Sequence, residues 1–178
     1  AYRLVVASLS HNGNNERAWG MTVSGNYFDV LGVPLLLGRG FLLEEDQTPK
    51  SHPVLILSYG CWQKRFGADP GIVGRTVSLN NVAFTVIGVA RKGFIGTEVA
   101  YAPEFWAPLM MSPVIEPGSN YLDQRVDNNL FVIGRLKPGV TKVQAEASLK
   151  ILTDEMGKEY PKENAGRGIE LIPPGLFI

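Results

Sequence analysis

VSGNYFDVLGV (residues 23–33), followed by GRGF (38–41), is the stretch that decides how the chain is read. Ser24 or Asn26 offers a side-chain oxygen to the exposed N–H groups of a short helix. Tyr27, Phe28 and Leu31 follow at helical spacing, and Gly32 supplies the stop. Upstream, 18–23 reads as a strand, the polar SHNGNNER (10–17) as a loop or hairpin tip, and 2–9 as an edge strand. Downstream, Gly38-Arg39-Gly40 makes a tight turn and LLEEDQ (42–47) a further helical turn. The segment 48–53 is a polar, proline-flanked break.

Beyond that break, 54–57 is a short apolar run whose length and branching predict a buried strand. Ser58 caps a helix over 59–66 that Gly67 ends, with Trp62 and Phe66 on one face. The clearest hairpin lies in 75–90, where Asn80-Asn81, residues that tolerate positive φ, separate two alternating apolar runs. A strand is expected in 105–110, a loop in 113–127 and a strand in 129–137. Thr141 and Gln144 fit a capping box at the head of a long helix. Ala145, Leu149, Leu152 and Met156 form one apolar stripe, expected to face a sheet. Tyr160-Pro161 closes the helix, and 169–172 is a returning strand. The pattern is α+β: a split βαβ subdomain (1–50 and 129–178) carrying an inserted β-rich subdomain (51–128).

The 178 residues suffice for one domain or two small subdomains. Lysine plus arginine and aspartate plus glutamate number 17 each, so the net charge is zero, and the basic residues are scattered. This argues against a nucleic-acid binder, which shows a basic excess or stripe. Cys61 is the single cysteine, which rules out an intrachain disulfide; its place in a predicted amphipathic helix makes it a small buried apolar residue. No apolar run approaches the roughly 20 residues a membrane span needs. The chain opens without an initiator Met or a signal-peptide pattern and reads as a soluble domain of a longer protein.

Motifs for chemistry are missing or incomplete. The phosphate cradle GxxxxGK[ST] does not occur, and GRG at 38–40 lacks the third glycine of a dinucleotide fingerprint. Glu44, Glu45 and Asp46 cluster without calcium-loop spacing, and His11 and His52 have no partner ligands for zinc. Ser58, set against His52 and Asp46, lacks a nucleophile elbow and has sufficient work as a cap. Glu98 and Glu104 flank Tyr101 and Trp106, the arrangement of a sugar cleft, although a core Trp106 with both glutamates facing water is the simpler reading. Gly93, Phe94, Ile95 and Gly96 form an apolar pair bracketed by glycines after a strand, a candidate exposed partner-contact loop.

The ordered set VSGNYFDVLGV, GRGF, PVLILSYGCWQKRFG (53–67), GIVGRTVSLNNVAFTVIGVA (71–90) and IGRLKPGVTKVQAEASL (133–149) resembles the MacB-like periplasmic core domain of MacB/FtsX-type ABC transporter permeases. The resemblance runs over about residues 20–175. It implies a split porter-like subdomain with an insertion, on the periplasmic side of an inner-membrane protein, with no catalytic role. It implies no cofactor in this chain, with ATP bound by a separate or fused cytoplasmic ATPase, together with a permease dimer and a periplasmic partner protein. The domain would relay transmembrane-helix movements to the periplasmic side. Thr48, Pro53, Val126 and Asn129, where the chain enters and leaves the expected insertion, are the candidate hinges. The competing reading is a free-standing extracytoplasmic ligand-binding or sensor module, marked by an apolar pocket with convergent polar groups.

Overall fold

Two ten-residue strands, β1 (Tyr2–His11) and β2 (Asn14–Val23), form an antiparallel hairpin in unbroken register, from Tyr2 opposite Val23 to His11 opposite Asn14. The computed structural model describes residues 1–11, 13–98, 101–119, 122–124 and 129–173. The polar stretch expected as a loop or hairpin tip is the tip of this hairpin, with the strands running into it as Ser10 opposite Asn15 and His11 opposite Asn14, and side chains that face water carry no penalty on an outer sheet surface. After β2 come α1 (Tyr27–Leu31), β3 (Leu35–Gly38), a 3-10 turn (Leu43–Asp46), β4 (Val54–Leu57) and α2 (Tyr59–Phe66). Then follow a second 3-10 turn (Pro70–Ile72), β5 (Thr76–Leu79), β6 (Val82–Ala90), β7 (Phe105–Pro108), a third 3-10 turn (Leu109–Met111) and α3 (Ser112–Ile115).

All seven strands lie in one sheet of order β3-β6-β4-β7-β2-β1-β5, and β5 also pairs with β6. Six strands therefore close a hydrogen-bonded ring, and β3 is added where β6 outruns β5. Neither β1 nor β2 is an edge: β1 holds β5 through Leu9–Leu79, and β2 holds β7 in parallel from Gly20–Phe105 to Val23–Pro108. The ring has two apolar faces. Val5, Leu9, Leu55, Leu57, Phe84, Val86 and Phe105 pack on one side with Trp62 and Phe66 of α2. Met21, Val23, Ile56, Ile87 and Trp106 pack on the other with Tyr27 and Phe28 of α1. The alternation Leu55/Ile56/Leu57 and Phe105/Trp106/Ala107 between these cores is the period-2 signature of a strand buried on both faces.

This sheet overturns the expected division into 1–50 with 129–178 and an insertion at 51–128. The strands of 51–108 supply the hydrogen-bond partners of β1, β2 and β3, and separating them would strip three strand edges of their ladders. The chain divides instead into Ala1–Ser119 with Leu130–Ile133, and Asn120–Asn129 with Gly134–Ile178. In the second unit, α4 (Lys142–Glu159) begins at the expected box: Thr141 Oγ1 accepts from Gln144 N–H at 3.3 Å and Gln144 Oε1 from Thr141 N–H at 2.9 Å. The helix α5 (Pro161–Asn164) follows.

Several expectations fail on packing. No residue of α4 is buried, so its apolar stripe does not lie against a sheet as expected. The described part of 129–137 makes only a bridge between Tyr2 and Phe131, and 169–172 is not a strand, since neither segment has a ladder partner among the described residues. Part of the loop expected over 113–127 is helical, in α3. Neither Ser24 nor Asn26 caps α1 with its side chain; Tyr27 N–H donates to the Ser24 carbonyl instead. The other local signals hold. Ser58 Oγ accepts from Cys61 N–H at 3.1 Å, Gly32 and Gly67 end their helices in left-handed conformation, and Asn80 and Asn81 have φ of 49° and 66°.

The acidic turn that follows GRGF locks the first unit. The Glu45 carboxylate, 6% exposed, accepts from both terminal nitrogens of Arg39 at 2.7 and 2.9 Å and from Leu42 N–H at 2.8 Å. Asp46 accepts from Gly25 N–H at 2.9 Å and Met110 N–H at 3.1 Å, which ties the turn to the start of α1 and the end of β7. Burial alone would raise the Glu45 pKa, but the Arg39 guanidinium and the Leu42 N–H outweigh it and hold the carboxyl below its ordinary value.

Two stability predictions follow from this packing. A methyl at Gly20 would overlap the Phe105 ring, so Gly20→Ala lowers unfolding free energy by roughly 1–3 kcal/mol, read as a shifted urea midpoint at unchanged slope. Glu45→Gln costs about 1–3 kcal/mol at neutral pH. Because the folded-state pKa is the lower one, the wild-type advantage is complete above the unfolded carboxylate value, about 4.3. It is lost as pH falls from there through the folded value, so urea titrations of the two proteins converge in acid.

Candidate functional site

The glycine-bracketed loop leaves β6 and folds back onto the aromatic face of the ring. Gly93 and Gly96 have φ of 83° and 85°, and Phe94 N–H donates to the Arg91 carbonyl at 3.2 Å. The half-buried Phe94 ring stacks on Trp106 with centroids 5.3 Å apart and meets Phe28 at 5.7 Å. Ile95 is 49% exposed. Further on, Thr97 Oγ1 lies 3.1 Å from the Tyr27 hydroxyl, and Glu98 accepts from the Tyr2 hydroxyl at 2.9 Å. Burial, with the Glu98 bond adding to it, pushes the Tyr2 hydroxyl up to about 12. Of the four loop residues singled out, the structure therefore seats Phe94 as an anchor and leaves Ile95 as the exposed apolar side chain.

The two flanking glutamates do not line a common cleft with Trp106. Trp106 is fully buried. Glu98 is held by Tyr2, and Glu104 is gripped by Arg65 through bonds of 2.6 and 2.9 Å. Arg65 also reaches Glu16 at 2.9 Å and donates to the Arg17 carbonyl at 3.1 Å. This four-point hub joins α2, β2 and the entry to β7. It lines an open cleft of about 560 Å³ together with Leu9, His11, Asn14 and Lys64. Sequence reasoning missed the hub because its members lie far apart in the chain and no spacing rule links them.

The remaining candidates are committed to structural contacts. Glu45 and Asp46 serve the lock described above, and Ser58 Oγ serves as a helix cap. The Ser51 hydroxyl, not Ser58, neighbours His52, at 2.7 Å from Nδ1. Burial pushes the Cys61 thiol far above its ordinary value and makes it a poor nucleophile. Among the described residues no group of three or more His, Cys, Asp or Glu is placed to hold a metal ion. Thr48 and Pro53 both lie inside the first unit. Their segment is tied down by Ser51 Oγ to the Thr48 carbonyl at 2.7 Å, Lys50 N–H to Met110 at 2.9 Å and Thr85 N–H to Pro53 at 2.8 Å. Val126 lies outside the described residues, and Asn129 is the residue after which the chain re-enters the first unit.

Comparison with known proteins agrees with this architecture. Residues 2–152 match the MacB-like periplasmic core domain family. The periplasmic region of MacB from Actinobacillus actinomycetemcomitans superposes with a TM-score of 0.61 at 20% identity, over 92% of this chain and 67% of that one. The extracellular domain of the noncanonic ABC-type transporter YknZ from Gram-positive bacteria superposes with a TM-score of 0.63 at 17% identity, over 92% of this chain and 76% of that one. No curated protein matches the chain. No helix among the described residues is long and apolar enough to cross a membrane. The chain belongs to the MacB-like periplasmic core domain family.

Proposed function

We propose that this domain relays ATP-driven movements of transmembrane helices to the periplasmic side of a permease dimer. On this reading the parent permease works with a cytoplasmic ATPase, and the nucleotide belongs on that separate or fused component. The observation that carries the reading is the closed ring with its acidic lock. Three clamps span the first unit: Arg39–Glu45, Asp46 to two backbone N–H groups, and Arg65–Glu104–Glu16. A relay needs such a stiff body and a localised place to bend. The chain crosses between its two units at 119–120, 129–130 and 133–134, and these crossings take the hinge role in place of 48–53. The cleft beside His11 weighs against a ligand-binding module, because its Arg65, Glu16 and Glu104 charges already satisfy one another.

The test uses the full-length permease with its ATPase, spin-labelled at Asn15→Cys on the exposed end of β2; Cys61, 3% exposed, stays unlabelled. The distance between the labels of the two protomers shifts on ATP binding. A two-glycine insertion between Ile133 and Gly134 removes the shift while ATP hydrolysis continues. A wild-type complex that hydrolyses ATP with no change in that distance overturns the relay.

A further inference from the structure

Tyr2 joins two segments that lie far from each other in the chain. Its N–H donates to the Phe131 carbonyl at 2.8 Å, and Phe131 N–H donates to the Tyr2 carbonyl at 2.9 Å. The two rings stack with centroids 5.5 Å apart. The Tyr2 hydroxyl donates to Glu98 at 2.9 Å, and its ring meets that of Tyr27 edge-on at 6.2 Å. Tyr27 holds the neighbouring residue, with its hydroxyl 3.1 Å from Thr97 Oγ1. Two tyrosines in contact therefore grip the far end of the loop whose near end is Phe94.

Both segments are held more weakly than the sheet between them. Tyr2 sits in β1 opposite Val23, at the end of an unbroken ladder, and is 9% exposed. Phe131 is 52% exposed and pairs with the sheet through this one bridge among the described residues. It belongs to the stretch Leu130–Ile133, which is part of the first unit while the chain on both sides is part of the second. Residues 91–98 pair with no strand. Side chains hold them: Phe94 on Trp106 and Phe28, Thr97 and Glu98 on the two tyrosines. A segment fastened this way opens at lower cost than the ladder beneath it.

We propose that Tyr2 couples the segment 130–133 to the loop 93–98, so that drawing Phe131 away loosens the loop and frees Phe94 from its aromatic seat. The Phe131 ring fixes the plane of the Tyr2 ring and keeps water from one of its faces. Without it the Tyr2 ring gains freedom and water reaches the bond to Glu98, which weakens as its surroundings become more polar. Once free, Phe94 joins the exposed Ile95 as an apolar pair on the loop. On the relay reading the pull comes from the second unit through the crossings at 129–130 and 133–134; the coupling itself is a property of the first unit.

Amide hydrogen exchange in the full-length permease, without nucleotide, tests the coupling. Phe131→Ala removes a half-exposed ring, and Tyr2→Phe removes only the hydroxyl. Each speeds exchange in peptides covering 93–98 by about two- to tenfold, the range that one hydrogen bond spans. Together they give no more than the larger single effect, because both act on the same bond. Exchange in β4, inside the sheet, stays at the wild-type rate. Unchanged exchange at 93–98 in Phe131→Ala overturns the proposal, as do single effects that multiply in the double variant. Equal acceleration of β4 also overturns it, because the whole unit is then opening. Failure here leaves the label-distance test of the relay standing, and failure of that test leaves this coupling standing.

Discussion

The first unit depends on β6 being shared between three neighbours. One edge pairs with β4; the other pairs with β5 over its first residues and with β3 over its last. This sharing closes the ring, because β5 is also bound to β1. It also sets the demand for glycine at the crowded junction. Gly38 ends β3 with φ of 72°, and a Cβ there would run into the Ile87 carbonyl and come within 2.8 Å of the Gly88 Cα. Side chains at that crossing would push β3 away and leave an unpaired edge at β6. The GRG segment, a phosphate-loop fragment by pattern, is here the device that lets three strands meet.

The same economy governs the charged groups. A cluster such as Glu44-Glu45-Asp46 in a protein with a chemical task would converge on a ligand. Here the carboxylates diverge: Glu45 turns to Arg39 and Asp46 to two backbone donors from distant parts of the chain. A carboxylate that accepts two N–H groups joins two segments directionally, beside the apolar contact that Phe28 makes with Phe41. The VSGNYF segment and the GRGF turn therefore work as one unit, since the Gly25 N–H of the first is the ligand of the acid that follows the second.

Local chemistry was readable from the sequence wherever one side chain decides one turn. Ser58, Gly67, Asn80-Asn81 and the Thr141/Gln144 box each act within four residues, and each takes its expected part. The strand partners were not readable. The Gly20–Phe105 and Leu9–Leu79 pairings join residues 85 and 70 positions apart, and nothing in either strand's alternation names its mate. For that reason the strands of 51–108 looked like an insertion when they complete the sheet. The apolar stripe of α4 carried a helical period correctly but not the identity of what it packs on. Of the loop at 93–96, the glycines and the apolar pair were legible, while the inward turn of Phe94 depends on Trp106 and Phe28, which no spacing rule connects to it.

The clamps then divide along the hairpin of β1 and β2. One end carries the acidic lock and the Tyr2–Phe131 bridge; the other carries the His11–Asn14 pair close to the Arg65 hub. Ten paired positions without a bulge connect them, and both strands are flanked by further partners, β5 on one side and β7 on the other. A strand ladder of this kind resists shear because sliding it by one residue would exchange its buried and exposed faces. On the relay reading, force entering at the locked end is therefore delivered to the hairpin tip as a rigid displacement, and any bending is left to the crossings between the two units. A stiff body that bends only at its chain crossings needs no catalytic or ligand-binding site of its own to act on what lies beyond it.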